Sequence, residues 1–532
     1  MECIGAIDQG TQSTRFLLYD QSANLVASHQ VEFTQITPKP GWVEHDPLEI
    51  WRTVLECLDK ALEAARSKVG PVKVVALGIT NQRETTLVWD RTTGKPCLSS
   101  MRFIHYPLHN AIVWMDRRTA SICQRTTEEL GSSDHYRATT GLPVSTYFSA
   151  FKWAWLHENV EEVREARAEG RCMLGTIDSW LIYNLTGGVD GRDCIEELAD
   201  RTGGIHVTDV SNAARTFLMD ICTLNWDAGL LQRFGLSEDM LPRICSNAEV
   251  YGTVKGTPLD GIPIAGCLGD QQAAMLGQRC KPLEAKNTYG TGCFVLLNTG
   301  TTPIQSSHGL LTTMAYKLGP EEPAQYALEG AIAIAGAGVS WLKDSLRIID
   351  SPEESATLAA SVDTTGGVYF VPAFGGLLAP QWRSDARGVI LGLSSFTTRA
   401  HITRALLEAI AWQTKEVLDA MMADAGREGF SLLRVDGGAS RNDVLMQLQA
   451  DAIQIPVRRP QHLETTCMGA AYAAGIGIGF WSKEWVLHND DSHSRNSQEF
   501  HPKADPEKIQ QRFRCWKEAV KRSFNLEDFE LQ

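Results

Sequence analysis

Ile4-Gly5-Ala6-Ile7-Asp8-Gln9-Gly10-Thr11-Gln12-Ser13-Thr14-Arg15-Phe16-Leu17-Leu18-Tyr19 is the stretch on which the reading of this chain turns. Two short apolar runs flank a polar turn containing Gly10, the pattern of a β-hairpin whose strands enter a core while the turn projects at one end. The turn is suited to anions. Gly10 lets backbone N–H groups approach an oxygen-rich ligand closely, Thr11, Ser13 and Thr14 offer hydroxyls, Arg15 can fork onto phosphate, and Asp8 can hold a hydrated divalent cation. An ordinary glycine turn between two strands accounts for the same residues, and the rest of the chain decides between the two readings.

A chain of 532 residues is too long for one core and predicts two large lobes. With 43% hydrophobic and 21% charged residues it has an ordinary globular composition. No apolar run is long enough to span a bilayer, and Met1-Glu2-Cys3-Ile4 leads into a strand without a basic leader. The expectation is a cytoplasmic protein, neither secreted nor membrane-spanning. Its 13 cysteines lack C-x-x-C pairs, which argues against a disulfide framework and a zinc site. A net charge of −14 disfavours a nucleic-acid partner, which needs a concentrated basic surface.

Further along, Asp46-Pro47-Leu48-Glu49 reads as a helix start, with Asp46 as cap, Pro47 in the first turn and Glu49 closing a capping box. Trp51, Val54, Leu55, Leu58 and Leu62 follow at helical spacing. The strand Val72 to Thr80 ends in Asn81-Gln82-Arg83-Glu84, where a charged pair is either a solvated turn or a hydroxyl-binding pair. Trp114 reads equally as a core aromatic, and Tyr147 as the start of an amphipathic helix. The apolar strand Ile264 to Leu268 runs into Gly269-Asp270-Gln271, which puts a carboxylate at a strand end, where open α/β sheets hold ligands; Asp270 could also simply cap the next helix. Asn287-Thr288-Tyr289-Gly290-Thr291-Gly292-Cys293-Phe294-Val295 repeats the logic of the opening hairpin, and Leu433-Arg434-Val435-Asp436-Gly437-Gly438 is a strand entering a double-glycine turn.

In this order, from residue 2 to about residue 485, these stretches resemble the glycerol kinases, a branch of the FGGY carbohydrate kinase family in the sugar kinase and actin fold group. The resemblance implies an α/β fold of two RNase H-like lobes around a central cleft, divided as 1–272 and 273–532. It implies ATP-dependent phosphorylation of glycerol to sn-glycerol 3-phosphate, with ATP and Mg2+, in a homo-oligomer such as a dimer. Asp270 is then the catalytic base. Arg83, Glu84, Trp114, Tyr147, Gln271 and Phe294 contact the substrate with it. Gly10, Thr11, Ser13, Thr14, Arg15, Gly290 and Thr291 hold phosphates, and Gly336, Ser340, Gly437, Gly438 and Asn442 lie toward adenosine. Asp8 and Asp270 face the metal.

The family often has Gln where this chain has Ser340. The stretch His206 to Thr216 also fits the family, and by that resemblance it lies near the substrate side of its lobe. Two segments, Cys97 to Pro107 and roughly Val189 to Gly204, interrupt the family pattern and are expected to be mobile loops outside the site. The alternatives are another FGGY kinase acting on a different polyol or ketose, and a non-catalytic ATP-binding relative. No Walker A pattern is present.

Overall fold

The opening stretch folds as its pattern predicts. Strands Glu2–Gln9 and Ser13–Tyr19 pair antiparallel, with Asp8 opposite Arg15 and Gln9 opposite Thr14. Side chains alternate across a strand. Cys3, Ile7, Phe16 and Leu18 therefore enter the core, and Asp8 and Arg15 fall on the other face of the hairpin.

This computed structural model describes residues 1–97, 111–188, 204–426, 429–488 and 497–526. The two interruptions, Cys97 to Pro107 and Val189 to Gly204, and the polar stretch expected between Asn489 and Gln498 lie almost wholly outside the described residues. The chain forms two compact units: Met1–Arg279 with Thr313–Tyr326 and Thr465–His488, and Cys280–Thr312 with Ala327–Glu464 and Asn489–Gln532.

The first unit is built on a six-stranded sheet in the order Gly252–Thr253, Pro263–Gly269, Lys73–Asn81, Glu2–Gln9, Ser13–Tyr19, Leu25–Glu32. Lys73–Asn81 runs parallel to both Glu2–Gln9 and Pro263–Gly269. Helix Pro47–Val69 packs beneath it through Ile50, Val54, Cys57, Leu58, Ala61, Leu62 and Ala65, while Trp51 and Leu55 are half-buried at the edge of that stripe. Asp46 caps this helix by accepting from the Leu48 N–H at 2.8 Å. The expected capping box does not form, because the Glu49 carboxylate is drawn outward to the N–H and hydroxyl of Thr34, at 3.3 and 3.1 Å.

Helix Thr465–Gly477 returns late in the chain to the first unit's sheet. It approaches so closely that a Cβ at Gly78 would strike the Ala470 carbonyl, and one at Gly266 would strike the Ala474 amide. Its run of Gly and Ala is what permits backbone-to-backbone approach.

The second unit repeats the plan. Ala285–Tyr289 and Cys293–Gly300 form an antiparallel hairpin, Leu433–Asp436 runs parallel to Ala285–Tyr289, and Val457–Arg459 parallel to that. The seven-stranded sheet runs Leu311–Tyr316, Gln325–Ile332, Cys293–Gly300, Ala285–Tyr289, Leu433–Asp436, Val457–Arg459, Gln498–Phe500. Helix Arg399–Ala425 lies in its core with Leu406, Ile410, Val417 and Leu418 buried, and Ile402 half-buried. Helix Pro506–Lys521, mostly polar in sequence, nonetheless buries Ile509, Phe513, Trp516 and Val520.

Each unit thus holds a hairpin followed by two strands parallel to its first arm, the doubled RNase H-like α/β arrangement expected from the sequence. Among the described residues no helix is long and apolar enough to cross a membrane. The described cysteines are free thiols.

Candidate active site

Gln9, Asn81 and Gly269 stand side by side across three parallel strands of the first unit. Immediately after each, the chain leaves the sheet at its carboxyl edge, where open α/β sheets present ligand-binding groups. Gly10 opens the hairpin turn, Gln82 leads to Arg83 and Glu84, and Asp270 begins helix Asp270–Gly277.

The turn is tight and held from behind. The Gly10 N–H donates to the Ser13 carbonyl at 2.9 Å. Gln82 Nε2 donates to Gln9 Oε1 and to the Gly10 carbonyl, each at 3.1 Å. Trp114 Nε1 donates to Thr11 Oγ1 at 2.9 Å. Thr14 is fully buried, with its hydroxyl 2.7 Å from that of Thr53; it ties the hairpin to the helix below instead of presenting a hydroxyl at the turn. Ser13 is also buried. Arg15 bonds to Asp8 Oδ2 at 3.3 Å and to Gln30 Oε1 at 2.9 Å.

Arg83 crosses to the neighbouring strand end. Its Nε lies 3.3 Å from Asp270 Oδ1, and its Nη1 donates to Gln272 Oε1 at 3.3 Å. The guanidinium is 2% exposed while the Asp270 carboxylate is 26% exposed, so the acid reaches solvent from a buried cationic support. Gly269 leaves room for the arginine stem: a Cβ there would sit 2.7 Å from Arg83 Cγ and Cδ. Gly269, not Asp270, occupies the cap position of helix Asp270–Gly277, and the Asp270 carboxylate accepts from the N–H of Gln271 at 2.8 Å. Asp270 thus serves the helix start through one first-turn N–H while also facing Arg83.

Glu84 adopts a left-handed backbone (φ 59°), rare for a residue with a Cβ. Its carboxylate is 2.5 Å from Arg215 Nε. The Arg215 guanidinium lies 5.5 Å from the Tyr147 ring and 5.4 Å from the Phe148 ring. Tyr147 meets Trp114 edge-on, with ring centroids 5.5 Å apart. Below them the buried Lys152 ammonium donates to the carbonyls of Thr146 and Tyr147, at 3.1 and 2.6 Å. Burial pulls the pKa of Lys152 down to about 8, against the opposing pull of Glu84 and Asp116. A continuous set of contacts thus joins Thr11, Trp114, Tyr147, Arg215 and Glu84, and a second joins Arg83 and Asp270.

In the second unit three glycine-bearing segments meet at the hairpin turn. Gly336 N–H donates to the Gly290 carbonyl at 3.0 Å, and the N–H groups of Ala335 and Ala337 donate to the Thr291 carbonyl at 2.9 and 3.0 Å. A Cβ on Gly336 would lie 2.7 Å from the Gly290 oxygen. Gly437, at φ 84°, passes so close that a Cβ would be 2.5 Å from the Tyr289 oxygen, whereas around Gly438 there is open space. Ser340 is exposed one helical turn beyond Gly336. Phe294 is half-buried, on the opposite face of its strand from the core-facing Cys293 and Val295. Asn442 has a local task, accepting from the Leu445 N–H at 3.0 Å as a helix cap and donating to Ser355 Oγ at 3.2 Å.

Sequence reasoning passed over Gln82, Lys152, Arg215 and Gln272. Their only sequence signal was proximity to stretches already singled out, because a buried polar side chain looks like a surface one until its partners are known.

Residues 3–277 match the N-terminal domain of the FGGY family of carbohydrate kinases, and residues 285–478 match its C-terminal domain. A glycerol kinase of Arabidopsis thaliana is 53% identical, covering 99% of both chains. One of Brucella anthropi is 50% identical over 98% of both. The crystal structure of Plasmodium falciparum glycerol kinase with ADP superposes with a TM-score of 0.85 at 40% identity, over 98% of each chain. A xylulose kinase from Lactobacillus acidophilus shares the fold at a TM-score of 0.80 and 21% identity, again over 98% of each chain. With both domains matched in order, and whole-length relatives at half identity, this chain belongs to the FGGY family of carbohydrate kinases.

Proposed function

We propose that this chain transfers the terminal phosphoryl group of ATP to glycerol, giving ADP and sn-glycerol 3-phosphate. The observation that carries the reading is the grouping of Asp270 with buried Arg83 in the unit that also holds Glu84, Trp114 and Tyr147. A triol needs donors and acceptors together with an apolar wall. Arg83 donates, Glu84 accepts, and each hydroxyl does both; Tyr147 and Gln271 add polar contacts, and Trp114 faces the carbons. Asp270 accepts the proton of the attacking hydroxyl, a step for which a positioned carboxylate is suited.

The two glycine turns provide the anion sites. Backbone N–H groups around Gly10 and Gly290, the hydroxyls of Thr11, Ser13 and Thr291, and Arg15 hold the phosphates, while Thr14 supports the first turn from beneath. Gly336, Gly437 and Gly438 offer a flat backbone surface to adenosine, with Ser340 and Asn442 at its margin. Asp8 and Asp270 are the pair that would hold Mg2+; carboxylates together with substrate phosphates are its usual ligands. When bound, the ion would neutralise charge on the phosphates. The working form we propose is a cytoplasmic homodimer.

ADP release measured across glycerol, D-xylulose, gluconate and other polyols tests the reading. Glycerol should give the highest kcat/KM. A ketose preferred over glycerol would move the chain to another branch of the family, and ADP release indifferent to any polyol would remove the kinase assignment.

A further inference from the structure

One short segment of the first unit, Asp209 to Arg215, reaches Gly269, Asn81, Glu84 and Tyr147 on the substrate side. Asp209 caps the turn Val210–Ala213, accepting from the N–H groups of Ser211 and Asn212 at 2.7 and 3.1 Å. Ser211 Oγ accepts the N–H of Gly269, the residue before Asp270, at 2.9 Å. Asn212 and Asn81 exchange side-chain amide bonds, each 3.0 Å, and Asn81 also donates to the Gln82 carbonyl at 2.9 Å, next to Arg83. Arg215 holds Glu84 at 2.5 Å beneath the rings of Tyr147 and Phe148. Asn247 locks the same segment to the strand that carries Asp270, bonding Asp209 Oδ1 at 2.8 Å and the Cys267 carbonyl at 2.9 Å. Ser211, Asn212 and Arg215 are all buried.

Resting on the polyol kinase reading above, we propose that Asp209–Arg215 is the positioning element of the active site, in which Ser211 sets the strand end that aims Asp270 and Arg215 sets the Glu84 carboxylate that receives the substrate. The two residues act on different steps. Ser211 reaches the base through one peptide unit, and its loss shows in turnover. Arg215 reaches a substrate-binding carboxylate directly, and its loss shows in substrate affinity. Glu84 makes that dependence strong. A glutamate in left-handed backbone is strained and persists only where its surroundings over-determine it, and Arg215 is such a restraint. Lysine cannot replace it, because a point ammonium lacks both the planar fork and the ring-stacking face.

The test compares Ser211→Ala and Arg215→Lys with wild type for kcat, KM for polyol, KM for ATP and melting temperature. Arg215→Lys should raise KM for glycerol about 10- to 100-fold, the range for a lost charge-assisted hydrogen bond, with KM for ATP within about 2-fold. Ser211→Ala should lower kcat about 10-fold with KM for glycerol nearly unchanged, the scale for one neutral hydrogen bond displacing a catalytic group. Activity falling only in proportion to the folded fraction, with both KM values at wild type, would overturn the proposal, as would wild-type kinetics in both variants. If Arg215→Lys does not fold, Ser211→Ala alone decides by its kcat. Wild type run alongside separates this from the substrate assignment: if another polyol is preferred, the glycerol reading fails by itself, and the same split is read on that polyol.

Discussion

Gly269→Ala isolates the support of Arg83 without touching any reacting group. The backbone at Gly269, φ −60° and ψ 149°, is open to alanine, so the added methyl acts through space alone. It would lie 2.7 Å from both Cγ and Cδ of Arg83 and 3.0 Å from Gln272 Oε1. Ordinary carbon contacts are about 3.5–4.0 Å, and the arginine stem must retreat by about 1 Å. Its bonds to Asp270 and Gln272 are already 3.3 Å each, and a shift of that size breaks them. One charged hydrogen bond lost to the transition state is worth about 1.5–3 kcal/mol, or about a 10- to 150-fold fall in kcat/KM for glycerol at 1.36 kcal/mol per decade.

The assay is ADP release with glycerol and ATP varied separately, with the melting temperature of each preparation. KM for ATP should stay near wild type, because the methyl acts on Arg83. The melting temperature should fall, because the methyl presses on the buried Arg83 and weakens its hydrogen bonds, and kcat/KM is therefore referred to folded enzyme. Gly269→Ala combined with Arg83→Ala should be no worse than Arg83→Ala alone, since both act on one group. Wild-type kcat/KM in Gly269→Ala, or full additivity in the pair, would refute the reasoning.

Asp270→Asn should fold normally and lose about 100- to 10,000-fold in kcat, the usual contribution of a general base; wild-type kcat on glycerol would show that the proton goes elsewhere. Gly437→Ala places a side chain in a backbone region open only to glycine and against the Tyr289 carbonyl, costing about 1–3 kcal/mol. It should raise KM for ATP about 10-fold or more with little change in KM for glycerol, and the reverse pattern would count against an adenosine-side role. Glu416 is buried and bonded to Trp516 Nε1 and Gln381, and burial raises its pKa from 4.5 to about 7. Between those values the folded state keeps a proton that the unfolded state has released, so this contribution to stability is complete below about pH 4.5 and lost by about pH 7. Glu416→Gln keeps an acceptor without the charge and should match wild type at pH 4.5, then exceed it above pH 7 by up to about 3 kcal/mol in denaturant unfolding. An advantage independent of pH would show that Glu416 is not the titrating group.

What the sequence revealed were features whose pattern is local. Both hairpins announce themselves as apolar runs around glycine turns, and Asp270 as a carboxylate ending an apolar strand. Features requiring distant partners were hidden. Nothing within Thr465–Gly477 says that its small residues press on Gly78 and Gly266, since the complementarity lies between segments far apart in the chain. Thr14 was expected at the turn surface, but its place in the pleat, opposite Gln9, turns it toward Thr53. Glu49 met the spacing of a capping box and was taken by Thr34, a residue whose position only the sheet determines. Arg215 lay in a stretch that fits the family, but nothing in the sequence gave it a partner. Its meaning comes from Glu84 and Tyr147, brought to it by the fold.

The most direct measurement of the central claim is phosphorus and carbon NMR of a complete reaction with ATP, Mg2+ and labelled glycerol. The account predicts one phosphorylated product, sn-glycerol 3-phosphate, formed in equal amount with ADP and accepted fully by a stereospecific dehydrogenase for that isomer. ADP accompanied by inorganic phosphate, with glycerol unchanged, would contradict it.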